Sequence, residues 1–238
     1  MPLMRARKRF GQNFLTDPGV VDRLMAAIDP KREERIIEIG PGHGAITAPL
    51  LASGCALEVI EIDRDLAADL GVQFPELRIH EGDALKINIA PIVDNARVVG
   101  NLPYNISTPL LFRLYPLVST IKDMHFMLQR EVVDRITASP STADYGRCLL
   151  CPTIIAIPRN CSRYHRRPFH PARRSLPAIV RLKAARHGHI ANDITVLEQL
   201  VTRAFSNRRK TIRNGFKGVL DSERLESLGI DPGCDPRI

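Results

Sequence analysis

A glycine-rich turn is the first segment of this chain whose residue types can bind a ligand. Gly40, Gly42 and Gly44 follow an apolar run, and Glu61 ends the next one. Glycine permits a tight turn that approaches a ligand closely, and a carboxylate at this spacing can bind both hydroxyls of a ribose. The pattern predicts a nucleoside-containing cofactor, with a plain strand-to-helix turn as the structural alternative. It does not separate NAD from S-adenosylmethionine, because Gly40, Gly42 and Ala45 also fit the dinucleotide pattern.

Two further polar segments favour S-adenosylmethionine. Asp83 and Ala84 follow Gly82 after the third apolar run, where the aspartate can accept a hydrogen bond from the amino group of an adenine ring. The residues at 101–104, Asn-Leu-Pro-Tyr, follow the fourth run. They suit methylation of an exocyclic amine and have no role in hydride transfer, so a methyltransferase is favoured over a nicotinamide oxidoreductase.

The Asn-Leu-Pro-Tyr segment matches the needs of a poorly nucleophilic amine. The N6 lone pair of adenine is delocalised into the ring, and hydrogen-bond acceptors on both N–H groups favour a localised one. The Asn101 side-chain oxygen and a main-chain carbonyl near Leu102 can accept these bonds, while Pro103 stiffens the turn. Tyr104 can stack on a base that has left its helix, at roughly 1–3 kcal/mol per base. A proline turn with a buried tyrosine is the structural alternative.

Short apolar runs alternate along the chain with stretches of helical periodicity. These runs are Ile36–Ile39, Leu57–Ile62, Leu77–Ile79, Val98–Val99 and Met124–Leu128. Strands that alternate with helices indicate a parallel sheet, and ligands bind such sheets at the carboxyl ends of the strands. The three motifs follow those ends. We therefore predict an α/β fold with a Rossmann-like class I methyltransferase sheet and helices on both faces.

Helical patterns lie near both ends of the chain. Asp17 and Pro18 provide a cap and a first-turn proline ahead of an apolar stripe from Val20 to Ile28, which predicts a helix of about three turns. After the polar stretch 186–193, a second apolar stripe begins at Val196 and reaches Phe205. We predict a catalytic domain at 1–185 and a small all-helical domain at 190–238.

The composition favours a polyanionic partner. There are 34 Lys and Arg residues against 26 Asp and Glu, a formal net charge of +8, and cations that neutralise phosphates gain from counterion release. Residues 148–177 supply +6 of this charge, with six arginines and no acidic residue. The odd number of cysteines, five, argues against a disulfide framework, and no apolar run is long enough to cross a bilayer. We expect a cytoplasmic protein without membrane contact.

The motifs together resemble the ribosomal RNA adenine dimethyltransferase family, in particular the branch that dimethylates two adjacent adenines near the 3′ end of 16S rRNA. The resemblance spans most of the chain and rests on segments that follow one another in family order. These are Arg7–Leu15, the Gly-Pro-Gly turn, Glu61–Asp63, Gly82–Ala84, Asn101–Pro109, Phe126–Val132 and Ala204–Asn214. It implies an S-adenosylmethionine-dependent enzyme that acts on 16S rRNA in the assembling 30S subunit. We expect it to be a monomer without a metal.

The resemblance also implies roles for individual residues. Cofactor contacts are expected from Asn13, Leu15, Gly40, Gly42, Glu61, Asp83, Ala84 and Asn101. The catalytic segment is expected to comprise Asn101, Leu102, Pro103 and Tyr104, with Asn101 and Tyr104 facing the target adenine. The basic cluster of Arg208, Arg209, Lys210 and Arg213 can hold rRNA phosphates, although a solvated basic helix face is the alternative.

Residues 148–177 and the C-terminus depart from the family pattern. The family has a Pro-x-Pro-x-Val-x-Ser motif where this chain has His170–Pro177. Codons for these residues, read two nucleotides later, can spell Pro-Arg-Pro-Lys-Val, which leads to the hypothesis of two compensating frame changes. Cys148, Cys151, Cys161, His165 and His170 also offer zinc ligands, but their spacing is irregular. After Leu228–Pro232 the family continues through another helical stretch, so we expect a shortened helical domain with exposed apolar surface.

Two alternative functions remain open from the sequence. A catalytically weak or inactive relative would bind the 30S subunit as an assembly factor if residues 148–177 disturbed the pocket but spared the basic cluster. A member of the resistance branch of the family would modify large-subunit rRNA. The Asn-Ile-Ser-Thr-Pro residues at 105–109 and the basic helix at 208–214 disfavour that branch.

Overall fold

The computed structural model describes residues 12–138, 142, 154–159, 169–170, 177–184, 193–205 and 211–235. The strands are β1 Phe14–Leu15, β2 Arg35–Ile39, β3 Ala56–Glu61, β4 Arg78–Glu81, β5 Arg97–Asn101, β6 Asp123–Gln129, β7 Ile154–Arg159, β8 Phe169–His170 and β9 Pro177–Ala184. The helices are α1 Pro18–Ile28, α2 Thr47–Ala52, α3 Arg64–Gln73, α4 Ala90–Val93, α5 Tyr104–Leu114, α6 Arg130–Ile136, α7 Ile194–Ala204, α8 Ile212–Gly215 and α9 Ser222–Ser227, with a 3-10 helix at Tyr115–Leu117.

The main sheet has seven strands in the order β4-β3-β2-β5-β6-β9-β7. The first five in this order are parallel, as predicted, so their carboxyl ends lie along one edge of the sheet. Strand β9 pairs antiparallel with β6, and β7 pairs antiparallel with β9. The sheet is therefore mixed rather than purely parallel. A separate two-stranded sheet joins β1 to β8, with Leu15 opposite Phe169.

Helices cover both faces of the main sheet, which confirms the predicted layered architecture. Alternate residues of β2 reach opposite cores, because successive side chains of a strand point to opposite faces. Ile37 packs into the core formed with α4, α5 and α6, and Ile36 packs into the core formed with α1, α2 and α3. The fully buried Glu38 follows Ile37 and falls on the second face.

Helix α1 begins as its sequence predicts. The Asp17 side chain accepts a hydrogen bond from the Val20 N–H at 3.2 Å, and Pro18 occupies the first turn, where a missing N–H costs nothing. The helix ends at Asp29, which adopts a left-handed φ of 48° and donates its N–H to the Met25 carbonyl at 2.7 Å. Its apolar stripe packs onto the sheet through Val20, Leu24 and Ile28.

A buried charge cluster joins α1 to the amino ends of β5 and β6. The Arg97 guanidinium donates to Asp123 Oδ1 at 2.7 Å, to Glu34 Oε2 at 2.9 Å and to the Ile28 carbonyl at 2.6 Å. Arg181, on β9, donates to the other Asp123 oxygen. Burial alone would raise the pKa of Asp123, but the neighbouring imidazole of His125 and the two guanidinium groups hold it well below its usual range. Asp123 is therefore ionised and shared by two cations.

Helices α7, α8 and α9 follow one another near the C-terminal end. Phe216 and Leu225 are buried, and Gly215 lies so close to α7 that an added Cβ would be 2.9 Å from the Arg203 carbonyl oxygen. The apolar side chains of Leu228 and Ile230 are exposed. Among the residues that the model describes, no helix is long and apolar enough to cross a membrane.

Candidate active site

A cavity of about 410 Å³ lies at the carboxyl ends of β2, β3, β4 and β5. This volume is within the usual range for small-molecule sites. Its lining contains all eight residues predicted to contact the cofactor, namely Asn13, Leu15, Gly40, Gly42, Glu61, Asp83, Ala84 and Asn101. Five separate segments of sequence therefore meet in one cavity, and four of them do so because parallel strands end along one edge of the sheet.

Two main-chain N–H groups, one of them in the glycine turn, donate hydrogen bonds to the Glu61 carboxylate. Gly42 has a φ of 59°, and an added Cβ would come within 3.1 Å of the Phe14 ring. Its N–H donates to Glu61 Oε2 at 3.2 Å, and the Asp63 N–H donates to Glu61 Oε1 at 2.9 Å. Burial raises the pKa of Glu61, and these two N–H groups oppose that shift. The carboxylate is thus braced at the cavity wall in one orientation.

Glu38 lies fully buried beneath the glycine turn. The Thr47 hydroxyl donates to its Oε2 at 2.7 Å, while no described residue is a hydrogen-bond partner of its Oε1. Burial raises the pKa of Glu38 from 4.5 to about 7, and the negative charge of Glu61 adds to this shift. The folded chain therefore binds a proton at Glu38 over a pH range in which the unfolded chain does not.

Replacing Glu38 with glutamine is expected to remove a pH-dependent loss of stability. Because its pKa is raised on folding, Glu38 costs the folded state free energy as pH rises from 4.5 to about 7, by about 3 kcal/mol in all. Urea unfolding at pH 5 and pH 8 measures this effect. Because part of the loss already occurs below pH 5, we expect the Glu38→Gln variant to gain about 2.5 kcal/mol over the wild type between the two pH values.

Glu58 provides the matched control on β3. Burial opposes the ionised form of Glu58, but hydrogen bonds from His80 and Arg35 lower its pKa overall. A Glu58→Gln variant should therefore show no relative gain at pH 8. Equal pH dependence in wild type and the Glu38→Gln variant would contradict a protonated Glu38.

Asp83 belongs to a tight turn that follows β4. The Gly82 N–H donates to the Glu61 carbonyl at 2.8 Å, which ties this turn to β3. Within the turn, Asp83 Oδ1 accepts from the Leu85 N–H at 2.9 Å and the Asp83 carbonyl accepts from the Ile87 N–H at 3.0 Å. The Asp83 carboxylate is therefore held by the turn that carries it.

The Asn101–Tyr104 segment connects β5 to α5. Asn101 lines the cavity, and its Nδ2 donates to the Asn13 carbonyl at 3.4 Å. The Leu102 N–H donates to the Met127 carbonyl at 3.2 Å, and its side chain is buried in the core. Pro103 lines the cavity with Asn101, whereas Tyr104 is 66% exposed and lies outside the lining. The predicted acceptor Asn101 therefore lines the cavity, and the predicted stacking residue Tyr104 lies three positions later at the exposed start of α5.

The cavity lining also contains residues to which the sequence analysis assigned no individual role. The Phe14 ring lies 4.1 Å from the His43 ring, centroid to centroid, at 53°. Gln12 donates to Asp63 Oδ2 at 3.1 Å. Ile62 and Leu66 also line the cavity. The sequence pointed to Phe14 only through its place between the predicted contacts Asn13 and Leu15. The residue that its ring contacts, His43, belongs to the glycine turn.

Several predicted residues lie outside the described part of the chain. Among the basic cluster, only Arg213 is described; it begins α8 with Ile212, is exposed, and donates its N–H to the Pro232 carbonyl at 2.9 Å. The side chains of the zinc candidates Cys148, Cys151, Cys161, His165 and His170 also lie outside the described residues. The described residues contain no cluster that could hold a metal ion. Within the atypical segment, β7 and β8 are described as strands, and the frame-change hypothesis stays untested.

Comparison with protein families and curated proteins identifies relatives over nearly the whole chain. A model of the family described as ribosomal RNA adenine dimethylase matches residues 3–234. Ribosomal RNA small subunit methyltransferase A of Methylococcus capsulatus is 47% identical over 233 residues, 96% of this chain and 91% of that protein. The protein of the same name from Dechloromonas aromatica is 48% identical over 241 residues, 97% of this chain and 92% of that protein.

Solved structures show the same architecture. A dimethyladenosine transferase from Plasmodium falciparum has a TM-score of 0.70 at 27% identity, covering 91% of this chain and 78% of that one. The 23S rRNA methyltransferase ErmE has a TM-score of 0.66 at 22% identity, covering 94% of this chain and 93% of that one. The likeness to the second protein concerns the fold alone.

Proposed function

The chain belongs to the ribosomal RNA adenine dimethylase family, and from this premise we propose that it dimethylates N6 of two adjacent adenines near the 3′ end of 16S rRNA, with S-adenosylmethionine as cofactor. It is an adenine N6,N6-dimethyltransferase of ribosomal RNA. The observation that carries the site assignment is the meeting of the glycine turn, Glu61, Asp83 and Asn101 in one cavity.

The residues of the cavity fit S-adenosylmethionine. Glu61 offers an ionisable carboxylate, braced by two main-chain N–H groups, to the ribose hydroxyls. Asp83 offers an acceptor to the adenine amino group, and the left-handed glycines bring main chain against the cofactor. Asn13 and Leu15 close the cavity from the N-terminal side, and Ala84 borders the adenine position. When bound, S-adenosylmethionine supplies an electrophilic methyl group on a sulfonium sulfur.

Asn101 and its neighbours prepare the target amine. The Asn101 side-chain oxygen and the main chain at Leu102 accept the two N–H bonds of the adenine N6, which favours a localised lone pair. Leu102 is anchored by its buried side chain, and Pro103 sets the direction in which α5 begins. The exposed Tyr104 ring stacks on the flipped base and offsets part of the cost of unstacking it. Catalysis rests on positioning and on hydrogen-bond acceptors rather than on a covalent intermediate with the protein.

Replacing Glu61 with glutamine is expected to weaken S-adenosylmethionine binding about 10- to 30-fold. The neutral amide loses charge-assisted hydrogen bonds to the ribose and turns an N–H₂ group towards main-chain donors that Glu61 now accepts from. Isothermal titration measures the dissociation constant. Glu58→Gln, on the same strand but outside the cavity lining, should leave it within about twofold. An unchanged constant for the Glu61→Gln variant would contradict its assignment to the ribose.

Membership of the family supports the following proposal for the substrate and its setting. The 16S rRNA of the assembling 30S subunit is the partner, in the cytoplasm, and the chain acts as a monomer. Residues 1–185 form the catalytic domain and 190–238 a small rRNA-contacting domain. Arg208, Arg209, Lys210 and Arg213 bind rRNA phosphates, for which the exposure of Arg213 is the structural support.

Methyl transfer to isolated ribosomal subunits tests the proposed function. The chain is incubated with labelled S-adenosylmethionine and 30S subunits from cells that lack this modification, with 50S subunits and fully modified 30S subunits as matched controls. We expect label only in undermethylated 30S subunits, recovered as dimethyladenosine in two adjacent nucleotides. Label in 50S subunits would indicate the resistance branch, and 30S binding without transfer would indicate an assembly factor.

A further inference from the structure

Arg113 links the two halves of the proposed active site from outside the cavity. It lies in the last turn of α5, and its Nη2 donates to the Ile87 carbonyl at 2.5 Å. Ile87 belongs to the turn that follows β4, 26 residues earlier in the chain. The contact therefore bridges the helix that begins at Tyr104 and the turn that carries Asp83.

The burial of Arg113 is not explained by packing alone. Its Nε is buried, and no described residue is a hydrogen-bond partner of this atom. A buried N–H without an acceptor costs free energy, and an apolar side chain of similar length could cover the same surface without that cost. The hydrogen bond to the Ile87 carbonyl is the one described contact of Arg113 that an apolar side chain could not make.

Ile87 closes the turn that holds Asp83. Its N–H donates to the Asp83 carbonyl at 3.0 Å. Its side chain fills the space beside Gly82, since a Cβ added to Gly82 would lie 2.5 Å from Ile87 Cγ2. The N–H of Ile87 thus bonds the Asp83 main chain, and the carbonyl of Ile87 accepts a hydrogen bond from Arg113. The Asp83 carbonyl also accepts from the Lys86 N–H at 2.7 Å within the same turn, so a shift of the Ile87 peptide would disturb the turn that carries Asp83.

The side-chain ion pair of Asp83 is a weaker constraint. Lys86 Nζ lies 3.8 Å from Asp83 Oδ2, but its side chain is 83% exposed. Exposed ion pairs of this kind contribute little and are screened by salt. Arg113 acts instead through a partly buried side chain on a helix of eleven residues whose first turn follows Asn101 and Pro103.

We propose that Arg113 is a positioning residue that holds Asp83 against the adenine of the cofactor and keeps it in register with the target-base segment at the start of α5. This inference rests on the proposed function, because it assumes that Asp83 accepts from the adenine amino group. It assigns to Arg113 the preference of the site for a 6-amino purine over a 6-oxo purine.

Binding of two product analogues tests this role. The probes are S-adenosylhomocysteine and S-inosylhomocysteine, which differ at the purine 6-position, and their dissociation constants are measured by isothermal titration for the full chain and its variants. Arg113→Met keeps much of the apolar volume and removes the hydrogen bond to Ile87. We expect it to reduce the preference for the adenosyl ligand about tenfold. Arg113→Lys, which retains a donor, should recover most of that preference.

The control variant is Arg78→Met, which removes an exposed arginine that pairs with Glu58 at 3.5 Å. It should leave the preference unchanged. If Arg113→Met weakens both ligands equally, or changes neither, the positioning role is overturned while the proposed function stands. If the wild type binds neither ligand, the proposed function itself fails and the inference falls with it.

Discussion

Replacing Asn101 with alanine is expected to lower kcat for methyl transfer about 10²- to 10³-fold. The variant loses an oriented acceptor beside the reacting nitrogen, and the loss of one such hydrogen-bonding group costs about 2.7–4 kcal/mol of transition-state stabilisation. Asn101 lines the cavity beside the start of α5, and its Nδ2 donates to the Asn13 carbonyl at 3.4 Å. Single-turnover transfer of labelled methyl to undermethylated 30S subunits measures the chemical step.

Cofactor affinity separates this catalytic role from a loss of the cavity. Asn101 also lines the cavity and contacts Asn13, so we expect the Asn101→Ala variant to bind S-adenosylmethionine more weakly, but by no more than about tenfold. The fall in kcat should exceed the fall in affinity. A variant that keeps its thermal stability and more than about a tenth of the wild-type kcat would contradict the role of Asn101 as acceptor for the target amine.

Replacing Asp123 with asparagine is expected to destabilise the chain by about 3–5 kcal/mol. The change leaves Arg97 and Arg181 close together without the carboxylate that they share, and removing one partner of a buried pair leaves uncompensated charge. Arg97 also holds the carbonyl end of α1 through Ile28, so the loss should extend to that helix. Urea unfolding at pH 7 measures the change in the free energy of unfolding.

An exposed aspartate supplies the control for this prediction. Asp134 pairs with Arg130 at 3.3 Å, but both side chains are largely exposed, and Asp134→Asn should cost less than about 1 kcal/mol. The lowered pKa of Asp123 also determines the direction in which the free energy of unfolding changes with pH. Its contribution is present above the unfolded-state pKa of 3.8 and is lost only as pH falls through the lower folded value. Equal destabilisation by both substitutions would contradict the buried cluster.

The local features of the fold could be predicted from the sequence. Short apolar runs correctly predicted the five parallel strands, and the capping residues before Val20 correctly predicted the start of α1. The glycine turn and Asp83 were located by the same logic, since residues that directly follow parallel strands gather at one edge of a sheet. In these cases a stretch of a few residues was enough to predict the element or the site residue.

Features that depend on distant partners were not predictable in this way. The antiparallel position of β9 depends on pairing with β6 and β7, and the Phe14–His43 contact joins two motifs. The Arg97–Asp123 cluster and the Arg113–Ile87 bond join charged or polar groups 26 residues apart. In each case the residue type is ordinary for its local pattern, and only the folded chain brings the partners together.

The pairing of β1 with β8 sets an order in which the cavity can be completed during synthesis. Leu15 pairs with Phe169, 154 positions later, whereas Ile36 pairs with Leu57 after only 21. Closing the longer loop costs about 2 kcal/mol more in chain entropy. At roughly 5–20 residues per second, several seconds separate the emergence of Asn101 from that of Phe169 at the ribosome. Strands β2 to β6 therefore emerge before the partner strand of β1, and the N-terminal wall of the cavity is the part that can be completed last.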